Sequence, residues 1–228
     1  MSKQRITVRE VEEDEEIINS KKNLKRNKKV NGFFDIVVDA INLYDNTIVA
    51  DELYNSDKHT GGKIRIQNGK LVETMISNIL NSLCIRHNIK NYEIKIGKKG
   101  GIKVESEHGF INAFVDVHLF IDNKLVIACE CKSYLDDAFM TRADSVFNQF
   151  RKSDENTKRV LISLEDYIAK SSLMYFIDQQ NVNDVFFLID GKRNYKNPIW
   201  LKDTYKSINN IKMVTLVTYF DEIISKFK

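Results

Sequence analysis

The 228-residue chain is expected to fold as an α/β (α+β) protein, a central mixed β-sheet flanked by helices. Two observations lead there. Apolar runs of strand length alternate with stretches whose apolar residues recur at helical spacing. Their order is helices first, then a strand hairpin, then alternating helix and strand, an order suited to a mixed sheet.

Residues 1–30 are polar and form an expected, partly ordered arm, leaving 31–228 as a single domain. The arm carries an acidic run, Glu12 to Glu16, followed by basic Lys21, Lys22, Lys25, Arg26, Lys28 and Lys29. Phe33 to Tyr54 places Ile36, Val37, Ala40, Ile41 and Tyr44 at helical spacing, and Asp57 to Lys63 reads as a loop around Gly61-Gly62. Leu71 to Leu83 is the clearest helix. Its broad apolar face (Leu71, Val72, Met75, Ile76, Ile79, Leu80, Leu83) is wide enough to lie on a sheet, with Glu73 at the margin.

Strands are expected at Tyr92–Ile96, Phe110–Ile121, Leu125–Lys132, Lys158–Leu164, Val185–Asp190 and Met213–Thr218. Helices are expected at Leu135–Arg151, Glu165–Gln179 and Asp221–Lys226, the first capped by Ser133 with Asp136 three residues on.

Composition narrows the class. Hydrophobic residues make up 43% and charged residues 29%, values of a globular chain with a real core. No apolar run approaches a membrane span and the first residues are too polar for a signal peptide, so a cytoplasmic protein is expected. The cysteines agree: Cys84, Cys129 and Cys131 are odd in number and sit in apolar segments, as buried small hydrophobes do. Net charge is only +3, but Lys98, Lys99 and Lys103 surround Gly97, Gly100 and Gly101 in a loop able to follow a phosphate backbone. Lys192 and Arg193, after Gly191, form a second candidate loop for base or phosphate contacts.

The chemistry concentrates in one hairpin. Side chains two apart on a strand share a face, so Glu130 and Lys132 point the same way and Cys129 and Cys131 the other. If Asp122-Asn123-Lys124 is a three-residue loop, Ile121 pairs with Leu125 and Asp116 faces Glu130. A two-residue Asp122-Asn123 turn puts Asp116 opposite Cys129 and, without a compensating bulge, aims it away. Asp-Asn suits either turn, and a functional site requires the facing arrangement. Two converging carboxylates suit Mg²⁺, a hard cation that keeps several waters. A lysine beside them can position a water and stabilise added negative charge.

This set resembles the PD-(D/E)xK nuclease superfamily, and within it the type II restriction endonucleases. Asp116 stands as the first acid, in Val115-Asp116 where the family often has Pro-Asp; Glu130-Cys131-Lys132 matches the (D/E)xK element. Glu73 is similar to the acid that many members carry on the helix before the hairpin. The resemblance spans roughly residues 71–164 and implies a restriction-endonuclease-like core. It also implies a Mg²⁺ site at Asp116, Glu130 and the Cys131 backbone carbonyl, with Lys132 assisting the attacking water. The implied activity is Mg²⁺-dependent double-strand cutting of DNA at a specific, palindromic site, leaving 5′ phosphates, by a homodimer. The alternatives are a junction-resolving or repair nuclease of the same superfamily, and a catalytically inactive DNA-binding module. A second carboxylate-x-lysine triplet, Glu93-Ile94-Lys95, has no acid on a preceding strand and reads as an ordinary amphipathic strand.

Overall fold

The computed structural model describes residues 32–50, 61–106, 109–193 and 206–228. The first 31 residues lie outside that set, as do His59, His108 and the expected helix end at 51–54. Helix α1 (Phe33–Ala50) is followed by α2 (Gly61–Arg86), β1 (Tyr92–Ile96), and a 3-10 turn over Gly97–Gly100. Then come β2 (Ile102–Ser106), β3 (Gly109–Ala113), β4 (Val117–Ile121) and β5 (Lys124–Leu135). The chain continues through α3 (Asp137–Ser153), β6 (Lys158–Asp166), α4 (Lys170–Asp178), β7 (Asp184–Phe187) and α5 (Asn210–Ile224).

Among the described residues the main sheet runs in the order β1-β4-β5-β6-β7. The β1/β4 and β4/β5 pairs are antiparallel, and β5/β6 and β6/β7 are parallel. The result is the mixed sheet between helices that the sequence predicts. β2 and β3 form a separate two-stranded ribbon.

Both faces of β5 are covered, as its apolar side chains on both faces require. On one face Ile127, Cys129 and Cys131 join Val160 and Ile162 beneath α1, α2 and α5. On the other, Ala128 and Leu161 pack with Met140, Ala143, Phe147 and Phe150 of α3 and with Val104 and Ala113 of the ribbon. All three cysteines are buried and free.

Five expectations are corrected. Residues 213–218 are helical, not a strand: Met213, Leu216, Val217, Phe220 and Ile224 bury one face at helical spacing. Asn209 caps this helix, accepting from the N–H groups of Ile211 and Lys212, and the expected helix at Asp221–Lys226 is its final turn and continuation. The Phe110–Ile121 strand is broken at Phe114–Asp116, so its two halves belong to different sheets. Gly61–Lys63 begin α2 rather than lying in a loop. Ser133 is inside β5, and Asp136 is the cap of α3, its Oδ1 accepting from Phe139 N–H at 2.8 Å. The chain at Glu165 is still strand, and α4 starts only at Lys170 because Asp166 and Ile168 are engaged in a turn.

Candidate active site

The register of the hairpin decides the site. Ile121 pairs with Lys124, so the tip is the two-residue turn Asp122-Asn123. Both residues have positive φ (50° and 62°), the conformation that favours short polar side chains in a tight hairpin turn. Asn91 steadies it: its carbonyl accepts from Asp122 N–H at 2.9 Å and its Nδ2 donates to Asp122 Oδ1 at 3.0 Å.

On its own this turn would aim Asp116 away. The strand corrects itself. Phe120 pairs with Leu125 but Leu119 pairs with Ile127, so Val126 is an extra residue, a β-bulge. Val126 and Ile127 both enter the core beneath α2, and Leu125 turns to the opposite side. From Leu119 onward the register matches that of a three-residue loop, and Asp116 comes to face Glu130 after all.

The ladder ends at the Val117–Cys129 pair, while β5 runs on to Leu135. The N–H of Cys131 thus loses its strand partner and is satisfied by Asp116 Oδ2 at 2.7 Å. Asp116 is fixed by its backbone too: its carbonyl accepts from Gly97 N–H at 2.8 Å, and its N–H donates to the Glu130 carboxylate. Lys132 Nζ lies 3.2 Å from Asp116 Oδ2 and 2.5 Å from Glu130 Oε1, with side chains only 19% (Lys132) and 18% (Glu130) exposed.

Burial pushes the Glu130 carboxyl above its usual range, further raised by Asp116 and opposed by Lys132. Burial alone would lower the Lys132 ammonium, but Glu130 and Asp116 outweigh it and hold it above the usual lysine value. Lys132 is therefore a cation here and donates hydrogen bonds. Glu73, half-buried on α2, is raised by burial and by Asp116, and lowered by Lys132, so it shares the field of the same cluster. The structure brings Asp116, Glu130 and Lys132 into contact, with Glu73 close enough for their charges to act on it.

The donor set fits magnesium. No group of three or more His, Cys, Asp or Glu among the described residues is arranged to hold a metal ion. A magnesium site, however, needs only one or two carboxylates, the rest of its shell being water and phosphate oxygens. Asp116 and Glu130 offer hard oxygens, and the Cys131 carbonyl points to the same strand edge as its N–H. The thiols are not ligands: Cys129 and Cys131 face the core, and burial raises both well above the ordinary thiol value.

The remaining candidates are spread out. Lys98 and Lys99 are exposed on the 3-10 turn, next to the Asp116–Gly97 bond, and Lys103 is exposed on β2. Lys192 binds Asp166 Oδ1 and the Ile168 carbonyl, both at 2.7 Å. Arg193 is a correction: its side chain is 1% exposed, 3.8 Å over the Tyr134 ring and 3.8 Å from Glu165, so it presents no charge to a phosphate. His118 is structural. Its Nε2 accepts from Val115 N–H, Nδ1 bonds the Lys95 carbonyl, and burial lowers its pKa, keeping the ring neutral. The sequence reading held the bulge only as a condition and missed the Tyr134–Arg193–Glu165 stack; the odd interval between Asp116 and Glu130 is equally that of a three-residue loop with no bulge, so it did not separate the two.

No family model matches the chain. Over 129 residues it is 26% identical to the type II restriction enzyme DdeI of Desulfomicrobium norvegicum. That alignment covers 49% of this chain and 52% of the enzyme, so the chain spans about half the length of the curated relative it matches. Among solved structures, a chain of the native BbvCI A2B2 tetramer overlaps 91% of this chain and 96% of its own length. Its identity is 14% and its TM-score 0.34, a level at which the overlap carries no argument. Among the described residues, no helix is long and apolar enough to cross a membrane.

Proposed function

We propose that the chain is a Mg²⁺-dependent endodeoxyribonuclease of the type II restriction kind, a PD-(D/E)xK enzyme making double-strand cuts at a specific site. The observation that carries this reading is the convergence of Asp116, Glu130 and Lys132, restored by the Val126 bulge against the register of the turn. The similarity to a type II restriction enzyme supports it. Asp116, Glu130 and the Cys131 carbonyl would hold the cation, with Glu73 tuning the site. When bound, the cation supplies charge neutralisation at a phosphoryl oxygen and a more acidic water.

The side chains divide the remaining work. Asp116 and Glu130 would hold the cation at the strand edge where the scissile phosphate is to lie. Lys132, a cation with its ammonium between the two acids, orients the attacking water and stabilises the negative charge that grows on the phosphorane oxygens. The water oxygen bonds to phosphorus as the bond to the 3′ oxygen breaks; the attacking water gives one proton to solvent and the departing 3′ oxygen takes one from solvent, leaving a 5′ phosphate and a 3′ hydroxyl. A homodimer fits a palindromic site, since two-fold protein symmetry matches two-fold sequence symmetry.

Plasmid and phage DNA incubated with Mg²⁺ tests the proposal. Wild type gives discrete fragments with 5′ phosphates, and Asp116→Ala, Glu130→Ala and Lys132→Ala each lose at least about a hundredfold in rate. Three variants that cut like wild type would falsify the assignment.

A further inference from the structure

The β2–β3 ribbon stands apart from the main sheet and has two unlike faces. Inward, Val104 and Ala113 are buried against α3 with Ile102, so the ribbon is a fixed part of the fold. Outward, register places Lys103 beside Asn112 and Glu105 beside Phe110, all four exposed. Phe110 is 74% exposed on this face, and Phe114 follows at the root at 38%. Leaving an aromatic ring in water is costly, and Lys103 on the same face with Lys98 and Lys99 at the root is a further choice that stability does not require.

The root of the ribbon is welded to the site. Gly97 N–H bonds the Asp116 carbonyl at 2.8 Å, and Val115 N–H bonds His118. Gly100 lies so close to the His118 ring that an added Cβ would fall 2.1 Å from Nδ1. Lys98 Nζ sits 6.0 Å from the centroid of Phe114, within cation–π range. A ligand held by the ribbon is thereby held at a set distance from Asp116.

Resting on the nuclease reading, we infer that this ribbon is the sequence-reading element, entering the major groove of the duplex whose backbone lies at Asp116. A two-stranded ribbon fits a major groove, and its outward face offers what base edges require. Asn112 can donate to and accept from an adenine edge, Phe110 meets a thymine methyl, and Lys103 donates to guanine. Lys98 and Lys99 at the root take adjacent phosphates. A second copy of the chain is the poorer occupant: the outward face is polar around one aromatic ring rather than a continuous apolar patch, and Lys98, Lys99 and Lys103 outnumber Glu105 and Glu107 in the sequence of this stretch, which favours a polyanion.

A short duplex spanning a mapped cut is the probe, with binding followed by anisotropy in the Asp116→Ala background so that it is not consumed. Phe110→Ala and Asn112→Ala are each expected to weaken binding about tenfold or more, with unchanged urea midpoints and sedimentation coefficients. Prior methylation of guanine N7, which fills the major groove, weakens binding of the parent chain. Normal binding by both variants, or indifference to methylation, overturns the ribbon assignment while leaving cleavage by wild type intact. A changed sedimentation coefficient instead assigns the face to a second copy, which also overturns it. A wild-type chain that neither binds nor cuts duplex overturns this inference together with the nuclease reading.

Discussion

Replacing Lys132 by methionine keeps the volume of the side chain and removes its charge. The ammonium lies 3.2 Å from one carboxylate and 2.5 Å from the other, at 19% exposure. At an effective dielectric of about 20 those two attractions amount to roughly 5 and 7 kcal/mol before desolvation. Burying the three charged groups offsets most of that, and removing one partner of such a buried set typically costs about 3–5 kcal/mol. That is a large fraction of the roughly 5–15 kcal/mol that holds an ordinary domain folded.

The loss has a pH signature. Without Lys132, burial and the Asp116 charge both act to raise Glu130, opposed only by the hydrogen bond from the Asp116 N–H, so its carboxyl moves further up. The folded variant then retains a proton that the unfolded chain releases near the ordinary glutamate value. Stability is fully present below that value and is lost as pH rises toward the elevated folded one, so the deficit of Lys132→Met is largest near pH 8 and shrinks toward pH 5. Mg²⁺ at saturating concentration should stabilise the variant more than wild type, since the ion takes the place of the ammonium; at a hundred times its Kd it contributes about 2.7 kcal/mol. Urea titrations of both proteins at pH 5.5 and 8, with and without Mg²⁺, measure every quantity. Equal midpoints at pH 8, or a deficit that does not change with pH, would refute the electrostatic account of the site.

Three further outcomes are expected. Deleting Val126 removes the bulge while keeping Leu119 opposite Ile127 and Asp116 opposite Glu130, so the variant cuts DNA and loses only about 1.5–3 kcal/mol from one missing buried valine. Deleting Ala128 also absorbs the extra residue but turns Ile127 out of its cluster, so urea unfolds that protein first although its missing side chain is smaller; the reverse order of midpoints would contradict the register. Cys84, Cys129 and Cys131 should resist a thiol reagent at pH 8 and react fully in denaturant. Burial pushes Cys84 up to about 12, so this thiol lowers folding stability between roughly pH 9 and 12 by about 1.4 kcal/mol per unit, a slope read as the difference between wild type and Cys84→Ala in an alkaline denaturation series.

The parts of this fold legible in the sequence are those where one physical constraint acts alone. β1 lies where short apolar patterning places it, and α2 carries its broad apolar stripe onto the sheet as expected. The misread strand at 213–218 shows the limit. Met213-Val214-Thr215-Leu216-Val217-Thr218 is rich in β-branched residues, and only the longer window to Ile224, with Asn209 ahead of it, reveals the helical period. At the site, the acids and lysine were legible as types and spacing. The route by which they meet was not, since Asp122-Asn123 supports two loop lengths and a bulge has no residue signature of its own. Arg193 illustrates a different gap: a basic residue after a glycine reads as a surface loop, and only tertiary packing shows Tyr134 and Glu165 enclosing it.

Thirteen residues, 117–129, lie between the two acids, and an odd interval cannot be closed by a two-residue tip and straight strands. Here the surplus is stored at Val126, away from the tip, so the tip keeps its bond to Asn91 and the acids keep their pairing. A chain with a longer tip and no surplus would show the same count. When remote relatives are aligned, the parity of this interval is therefore a sounder guide than the residues at the tip, and gaps placed there should be moved in twos.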